Sequence, residues 1–349
     1  MKYSRKQISN AGNTIMTSRI IEEVDAAIII INDWRSNHLL PLNIIGDSLA
    51  SVLKTNGITP VLTSKRLKRL TSIQYKLDLN PLMGLGGMQD IGGYRIVVDN
   101  VSELIKIQEI LKDNNIADFE LEKIDDYIQN PKTSGYRSIH FRYKYHSDFD
   151  EFDGLRIELQ VRTKLQHSWA TAVETAGLYT KTSLKSSQGR NEWLIFFKVV
   201  SSLFSIKEQL PVMTDHRSTK MPKLMIELMV ELYKLDQDYQ FTQILKALKV
   251  TINTVAKKNI TKEYCIVNID LVNNYVKIYS YDKVDEDQAT TLYSELEKNI
   301  EDNKNAVVLV AVNSIKELRA AYPSYFLDTT EFINALEKIK KNCKELGWV

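Results

Sequence analysis

The run at Asp125–His140, DDYIQNPKTSGYRSIH, combines aromatic, cationic and turn-forming residues. A tyrosine ring can stack on a nucleobase while lysine and arginine side chains hold phosphates. An ordinary loop with a hydrogen-bonded tyrosine would contain the same residue types, so this run alone leaves both interpretations open. The residues in it that suit nucleotide binding are Tyr127, Lys132, Tyr136, Arg137 and His140.

A basic stretch, SKRLKRLTSIQYKL at Ser64–Leu77, comes before this run. Cations such as Arg66 and Lys68 are the groups that bind a triphosphate. If a helix begins near Ser72, then Ser72 and Lys76 are four residues apart and share one face of it. A solvated basic face is the alternative interpretation of the same residues.

Two carboxylates occupy positions where a charge needs a partner. Asp90 lies where a glycine-rich loop enters the apolar run GGYRIVV, and Glu158 lies inside the strand pattern LRIELQV. A carboxylate between apolar neighbours loses hydration unless a cation pairs with it. Mg²⁺ bound by both carboxylates would be such a partner, and so would Arg95 or Arg162. Gln160 is two residues beyond Glu158 and therefore lies on the same face of the strand.

Strand and helix patterns alternate around these residues. Runs of β-branched and aromatic residues predict strands at 92–98, 138–145 and 155–162. Apolar residues at helical spacing predict helices over 15–56 and 102–114, and another from Thr163 onwards. The alternation and the strand pair predict an α/β (α+β) fold, with a mixed β-sheet flanked by helices.

The character of the chain changes near residue 190, where long amphipathic helices are predicted at 192–206 and 221–255. A ββαβα pattern follows, with strands at 264–270, 275–281 and 306–312, a tight turn at Leu271–Asn274, and helices at 286–303, 314–321 and 329–345. We therefore predict two domains, residues 1–210 and residues 211–349. The second would be a helical linker and a small α+β unit with a regulatory or interaction role. Its segment AAYPSYFLDTTEF, at Ala320–Phe332, suits either core packing or a binding surface for a regulator.

Composition excludes several classes of protein. With 44% hydrophobic and 26% charged residues among 349, the chain is predicted to fold, and a net charge of +2 does not by itself indicate nucleic acid. Two cysteines, Cys265 and Cys343, are too few for a disulfide framework. The longest apolar run, Ala26–Ile31, is too short to span a membrane. The N-terminal residues lack the apolar stretch of a signal peptide, so we expect a cytoplasmic protein.

Four of these segments, taken in order, resemble motifs of the RelA/SpoT family of alarmone synthetases. RLKRLTSIQYK resembles the family's ATP-binding segment, and DIGGYRIVV resembles its aspartate-containing strand. YIQNPKTSGYRSIH resembles its acceptor-nucleotide loop, and IELQVRTKLQHSWA resembles the strand and helix with its second metal carboxylate. The resemblance covers Pro60–Lys181. It implies a nucleotidyltransferase-like fold and an Mg²⁺-dependent attack of a nucleotide 3′-hydroxyl on the β-phosphate of ATP.

The resemblance also implies a role for each matching residue. Arg66, Lys68, Ser72 and Lys76 would hold the ATP phosphates, with Arg95 assisting. Asp90 and Glu158 would bind Mg²⁺, and Glu158 is the candidate base for the attacking hydroxyl. Tyr136 would stack on the acceptor base. Lys132, Arg137 and His140 would contact the acceptor phosphates, and Gln160 and His167 would line the same cleft.

Two departures from the family pattern limit the resemblance. Many members have an arginine beyond the lysine equivalent to Lys76 that stacks on adenine, whereas this chain reads LDLNP there, and Arg69 is the candidate substitute. Many small synthetases also have a Glu-His pair where this chain has Glu174-Thr175. The chain has no adjacent His-Asp pair of the kind found in the family's hydrolase domain, so alarmone hydrolysis is not expected.

The leading functional hypothesis is a synthetase-only enzyme that makes (p)ppGpp from ATP and GDP or GTP. The alternative is a toxic member of the family, of a toxin–antitoxin or phage-defence type. Such an enzyme would pyrophosphorylate the 3′ end of tRNA or adenosine nucleotides and be restrained by its C-terminal region or a regulatory protein. A third possibility is a catalytically dead nucleotide-binding regulator. Small synthetases of the family are often homo-oligomers, and no membrane partner is expected.

Overall fold

In the computed structural model, the described residues are 2–113, 116–180, 182–250, 253–254, 264–270, 275–298, 305–311 and 329–349. Their α-helices are α1 (Arg5–Thr17), α2 (Ile21–Ser36), α3 (Leu39–Thr55), α4 (Leu70–Leu79), α5 (Val101–Asp113), α6 (Lys164–Thr180), α7 (Asn191–Lys207), α8 (Lys223–Tyr239), α9 (Phe241–Val250), α10 (Glu286–Lys298) and α11 (Thr330–Glu345). Their β-strands are β1 (Leu62–Leu67), β2 (Gly92–Val98), β3 (Phe119–Asp126), β4 (Ile139–Tyr145), β5 (Arg156–Thr163), β6 (Asn253–Thr254), β7 (Tyr264–Asp270), β8 (Tyr275–Tyr281) and β9 (Asn305–Ala311).

The strands form one mixed sheet in the order β3-β4-β5-β2-β1-β9-β7-β8-β6. Strands β2 and β5 are parallel, as are β6 and β8, while the other neighbouring pairs are antiparallel. Helices cover the sheet, so the predicted mixed sheet flanked by helices is confirmed. Among the helices that the structure describes, none is both long and apolar enough to cross a bilayer.

The central strands have one apolar face and one polar face, because successive side chains on a strand point to opposite sides. Ile96, Phe141 and Leu159 lie on the apolar face and are fully buried. They pack in one cluster with apolar residues of α3 and α5, such as Leu49 and Ile107. The opposite face presents Arg66 from β1, His140 and Arg142 from β4, and Glu158 and Gln160 from β5, so the candidate site residues share one side of the sheet.

Strands β7, β8 and β9 continue the same sheet, because β9 pairs antiparallel with β1 through Lys65 and Arg66. A second connection lies in the apolar cluster around α6 and α7, where Phe332 and Leu336 of α11 pack with Trp169. Both connections join residues before position 210, the predicted domain boundary, to residues after it. The division into residues 1–210 and 211–349 remains a prediction about which part folds independently.

Most predicted elements are present with similar bounds, and β7 and β8 have the bounds that were predicted. The long helix predicted over 221–255 is wrong, because α8 ends at Tyr239 and the next residue, Gln240, has a left-handed φ of 54°. Asp236 then accepts the backbone N–H of Thr242 at 2.7 Å, which caps the start of α9. Strands β1 and β3 were not predicted, since their sequences LTSKRL and FELEKIDD are largely polar. The predicted turn at Leu271–Asn274, the helix at 314–321 and most of the segment 320–332 lie outside the described residues.

Candidate active site

A cleft of about 840 Å³ opens on the polar face of the sheet. Its walls come from the end of β1, from α4, from the loop before β4, and from the segment that follows α6. Strands β4 and β5 form its floor through His140, Arg142, Glu158 and Gln160. Strand alternation explains why Arg66 of β1 faces the cleft and its neighbour Lys65 does not. The ammonium of Lys65 lies on the other side of the sheet, where it donates to Asn43 Oδ1 of α3 at 3.1 Å.

Asp90 lies between two lysines at one end of the cleft. Its Oδ2 is 2.8 Å from Lys68 Nζ, and its Oδ1 is 2.9 Å from Lys76 Nζ. Burial and the charge of Glu158 act to raise the pKa of Asp90, but the two lysines outweigh them and the pKa is lowered. Burial lowers the pKa of Lys68, which Asp90 partly opposes. The carboxylate is therefore ionised at neutral pH, and two ammonium groups lie beside it where an anionic ligand could replace it as their partner.

Glu158 begins a hydrogen-bonded chain across the floor. Its Oε1 is 3.2 Å from His140 Nδ1, and His140 Nε2 is 2.9 Å from the Tyr136 hydroxyl. Gln160 Nε2 donates to Glu158 Oε2 at 2.6 Å. Burial would raise the pKa of Glu158, yet His140 and Gln160 hold it well below its ordinary value. Glu158 is thus an ionised carboxylate whose two oxygens both accept hydrogen bonds.

His140 and Tyr136 shift each other's pKa in opposite directions. Burial acts to lower the pKa of His140, but Tyr136 and Glu158 raise it to about 9. Burial acts to raise the pKa of Tyr136, but His140, Lys185 and Arg162 lower it to about 6. The proton in this pair is therefore held on the imidazole more strongly than on the phenol. The chain Glu158–His140–Tyr136 can accept or share a proton within the cleft.

Lysines surround the Tyr136 ring, which is only 2% exposed. Lys185 Nζ lies 4.8 Å from its centroid and Lys132 Nζ lies 5.4 Å from it. Lys132 Nζ also lies 4.5 Å from the ring centroid of Tyr127, which meets His140 edge-on at 5.1 Å. These aromatic rings and ammonium groups are the types that contact a base and its phosphates.

A basic cluster surrounds Glu174 on the wall formed by α6. Lys185 Nζ lies 3.0 Å from Glu174 Oε1. Burial acts to raise the pKa of Glu174, but Lys185, Arg66 and Arg95 bring it well below its ordinary value. Arg162 is 1% exposed, and burial lowers its pKa to about 9 with a further effect of Arg95. The cations of this cluster outnumber its carboxylate, which favours an anionic ligand in this part of the cleft.

Asp90 and Glu158 fit a magnesium ion by their donor chemistry. Mg²⁺ is commonly bound by one or two carboxylates together with substrate phosphates, rather than by a cage of protein ligands. Both carboxylates are ionised, and Glu158 is close enough for its charge to act on the pKa of Asp90. Within the described part of the chain, no group of three or more His, Cys, Asp or Glu side chains could hold a metal ion by itself. The two carboxylates therefore suit an ion that arrives with a nucleotide.

Comparison with known families identifies the part of the chain that builds this cleft. Residues 65–183 match the family model described as "Region found in RelA / SpoT proteins". We call residues 65–183 the RelA/SpoT region after this match. The region begins in β1 and ends just after α6, so it includes every strand and helix that contributes a residue to the cleft floor.

Proteins similar to part of this chain are named GTP pyrophosphokinases and probable GTP diphosphokinases. GTP pyrophosphokinase YwaC of Bacillus subtilis is 26% identical over 166 residues, which cover 43% of this chain and 78% of that protein. GTP pyrophosphokinase YjbM of Bacillus subtilis is 34% identical over 111 residues, 30% of this chain and 51% of that protein. The chain spans 16% of the probable GTP diphosphokinase RSH3 of Arabidopsis thaliana, at 32% identity. The solved small alarmone synthetase 2 of Bacillus subtilis aligns at 24% identity and a TM-score of 0.40, covering 50% of this chain and 93% of that one.

The structure brings most of the predicted site residues of the RelA/SpoT region together. The cleft is lined by Arg66, Lys68, Ser72, Lys76, Asp90, Lys132, Tyr136, His140, Glu158 and Gln160. Arg95, Arg137 and His167 are buried and do not line it. Arg137 Nε donates to Ser201 Oγ of α7 at 3.1 Å, which directs this guanidinium away from the cleft. His167 Nδ1 accepts from Arg162 Nη2 at 2.7 Å behind the cleft wall.

Several cleft residues were missing from the predicted set. Arg142 is two residues beyond His140 on β4, so strand alternation alone could have identified it. Its guanidinium donates to Gln89 Oε1 at 2.6 Å and pairs with Asp125. Lys185 lies in the irregular segment after α6, where no periodic pattern predicts its direction. Other lining residues that were not predicted include Thr71, Tyr75, Asn80, Glu174, Ser183 and Gln188. Tyr127 and Arg69, which the sequence suggested for nucleotide binding and for the adenine, line the cleft as well.

Proposed function

We propose that this protein is a pyrophosphokinase that transfers the β- and γ-phosphates of ATP to the 3′-hydroxyl of GDP or GTP. One observation carries the proposal: a single cleft in the RelA/SpoT region contains both the Lys68–Asp90–Lys76 cluster and the Glu158–His140–Tyr136 chain. The first is suited to a triphosphate and the second to a hydroxyl that must lose its proton. The relatives' names support the same reaction class.

In this mechanism, the cations of β1 and α4 hold the triphosphate. Arg66 and Lys68 come from the strand and its end. Ser72 comes from the first turn of α4 and Lys76 from its last turn. Charge-assisted hydrogen bonds from these groups fix the β-phosphorus relative to the acceptor. Mg²⁺, when bound at Asp90 and Glu158, would neutralise part of the charge on the phosphates.

The acceptor would enter beside Tyr136, with its base against the aromatic rings and its phosphates near Lys132. Its 3′-oxygen forms a bond to the β-phosphorus, the bond from that phosphorus to the α-phosphate oxygen breaks, and AMP leaves. The proton of the 3′-hydroxyl goes to Glu158, whose ionised carboxylate faces the cleft. His140 and Gln160 hold that carboxylate in place through the hydrogen bonds described above.

Product analysis tests the reaction and its acceptor. The purified full chain is incubated with Mg²⁺, ATP labelled at the γ-phosphate, and in separate arms GDP, GTP, ATP alone or bulk tRNA. Mass spectrometry should find AMP and a guanosine nucleotide that is heavier by one pyrophosphate at its 3′ position. Label on tRNA or an adenosine nucleotide instead would reassign the acceptor and keep the reaction type. Transfer to none of the acceptors would overturn the proposal.

A further inference from the structure

Glu297 of α10 has a buried carboxylate that connects three distant segments of the chain. Its Oε2 lies 2.6 Å from Arg35 Nη1 of α2, and both side chains are 2% exposed. Its Oε1 accepts the hydroxyl of Tyr293 at 2.6 Å. The same oxygen accepts the backbone N–H of Leu70, the first residue of α4, at 3.0 Å. A fully buried carboxylate with this many donors is held in one geometry.

The contact with Leu70 replaces a missing cap on α4. The first N–H groups of a helix have no partner within it, and a capping side chain usually comes from the residue just before the helix. At α4 that residue is Arg69, which makes no side-chain cap, and the first turn contains no acidic residue. The carboxylate of Glu297 supplies both the acceptor and the negative charge that favours a helix N-terminus.

Helix α4 is the helix that lines the ATP side of the cleft. Thr71, Ser72, Tyr75 and Lys76 all lie on its cleft wall, and Lys76 reaches Asp90. The preceding strand, β1, presents Arg66 to the same cleft and pairs with β9. The C-terminal strands and α10 therefore contact the backbone of both elements of the phosphate-binding segment.

We propose that Glu297 is a positioning residue for ATP, so that the unit formed by β7, β8, α10 and β9 completes the ATP-binding site. This inference rests on the proposed function for the identity of the nucleotide. Apolar contacts support the same arrangement, because Leu67 of β1 packs in one cluster with Ile266, Tyr293 and Leu309 of the C-terminal unit. The acceptor side of the cleft, around Tyr136 and His140, has no contact with Glu297 among those the structure describes, so the effect is specific to ATP.

A matched pair of full-length variants isolates the cap. Both members contain Arg35→Met, which removes the guanidinium that would otherwise be left as an unpaired buried charge. One adds Glu297→Gln, which keeps an oxygen for the Leu70 N–H, and the other adds Glu297→Leu, which has none. Binding of α,β-methylene-ATP and of GDP is measured by titration calorimetry, and thermal unfolding confirms that both variants fold. Glu295→Gln, an exposed position on the same helix, is the control.

The Leu member should bind α,β-methylene-ATP roughly fivefold more weakly than the Gln member. This is the change in affinity that corresponds to the free energy typically lost with a helix cap. GDP affinity should be equal in the two. Equal affinity for the ATP analogue, or an equal fall in affinity for both nucleotides, would overturn the inference. A wild-type protein that binds the analogue but transfers no pyrophosphate would refute the proposed function, and the cap would then be judged on the binding data alone.

Discussion

The two oxygens of Glu158 are both engaged, one near His140 and one by Gln160, and this determines what a single substitution there can show. Glu158→Gln keeps the shape of the side chain but removes the charge that would accept the 3′-hydroxyl proton. We expect pyrophosphate transfer to fall by about 10²-fold or more, the usual size of a lost general base. Binding of α,β-methylene-ATP should fall much less, because Lys68 and Lys76 are unchanged.

Glu122→Gln is the control for this prediction, because Glu122 is a strand carboxylate outside the cleft that pairs with Arg156 at 2.7 Å. Its turnover should stay near that of the wild type. Turnover of Glu158→Gln within about threefold of wild type would exclude Glu158 as the base and as a required metal ligand.

His38 makes the stability of the fold depend on pH. It is fully buried, and burial is the main reason that its pKa is lowered to about 4, although its hydrogen bond to Trp34 O at 2.8 Å opposes this. The unfolded chain therefore binds a proton near pH 6.5 and the folded chain does not. The stability gained from keeping His38 neutral is complete above pH 6.5 and is lost as pH falls through about 4.

His38→Asn tests this, because an asparagine amide can replace the donor to Trp34 and does not titrate. The free energy of unfolding is measured by urea denaturation from pH 8 to pH 4 for both proteins. As pH falls from 8 to 4, the wild type should lose on the order of 3 kcal/mol more of its free energy of unfolding than the variant does. A difference that stays constant over this range would show that His38 titrates at the same pH in the folded and the unfolded chain, so that burial does not lower its pKa.

At the scale of elements, the turn at Gly135 fixes how the acceptor loop meets α7. Gly135 has φ of +94°, and its carbonyl accepts from Ser201 Oγ at 2.7 Å. A Cβ added there would lie 2.9 Å from Ser201 Cβ and 3.1 Å from Trp169 Cζ2. Gly135→Ala therefore combines backbone strain with overpacking, and we expect a loss of about 2–4 kcal/mol of stability and weaker GDP binding.

Gly57→Ala separates these two causes. Gly57 has φ of +64°, and nothing lies within 4 Å of a Cβ added there. It should cost only about 1 kcal/mol, the price of the left-handed backbone alone. Urea denaturation of both variants measures the difference. Equal losses of stability in the two variants would mean that crowding of the new Cβ against α7 contributes nothing to the effect of Gly135→Ala beyond the strain of the left-handed backbone.

Local sequence patterns predicted individual strands and helices better than they predicted which of these elements contact one another. Runs of β-branched and aromatic residues identified β2, β4 and β5, and with them Asp90, Glu158 and Gln160, because a buried strand is rich in these residue types. Strand β1 was missed because Ser64, Lys65 and Arg66 in its middle are polar and so break the apolar pattern. The cap by Glu297 could not be predicted, since 227 residues separate it from Leu70 and nothing in the sequence near either position indicates the other.

At the scale of the whole molecule, the sheet and one apolar cluster both cross residue 210. Phe241 packs on Trp193 with ring centroids 4.3 Å apart, and Phe332 packs on Phe197 at 5.9 Å. Pairing of β9 with β1 also covers an edge that would otherwise be open to another strand. Removing residues 211–349 would therefore uncover aromatic surface on α7 and an unpaired edge of the sheet.

Truncation tests how far residues 1–210 are self-sufficient. A chain of residues 1–210 should unfold at least about 10 °C below the full chain and self-associate, because burying each phenylalanine contributes roughly 1.5–3 kcal/mol. A chain of residues 1–250 keeps Phe241 on Trp193 but lacks β9 and α11, so its melting temperature should fall between the two. Calorimetry and light scattering measure both properties. If residues 1–210 remain monomeric and melt with the full chain, the boundary at 210 separates two independent domains, and any restraint by the C-terminal part would act through the cleft rather than through the core.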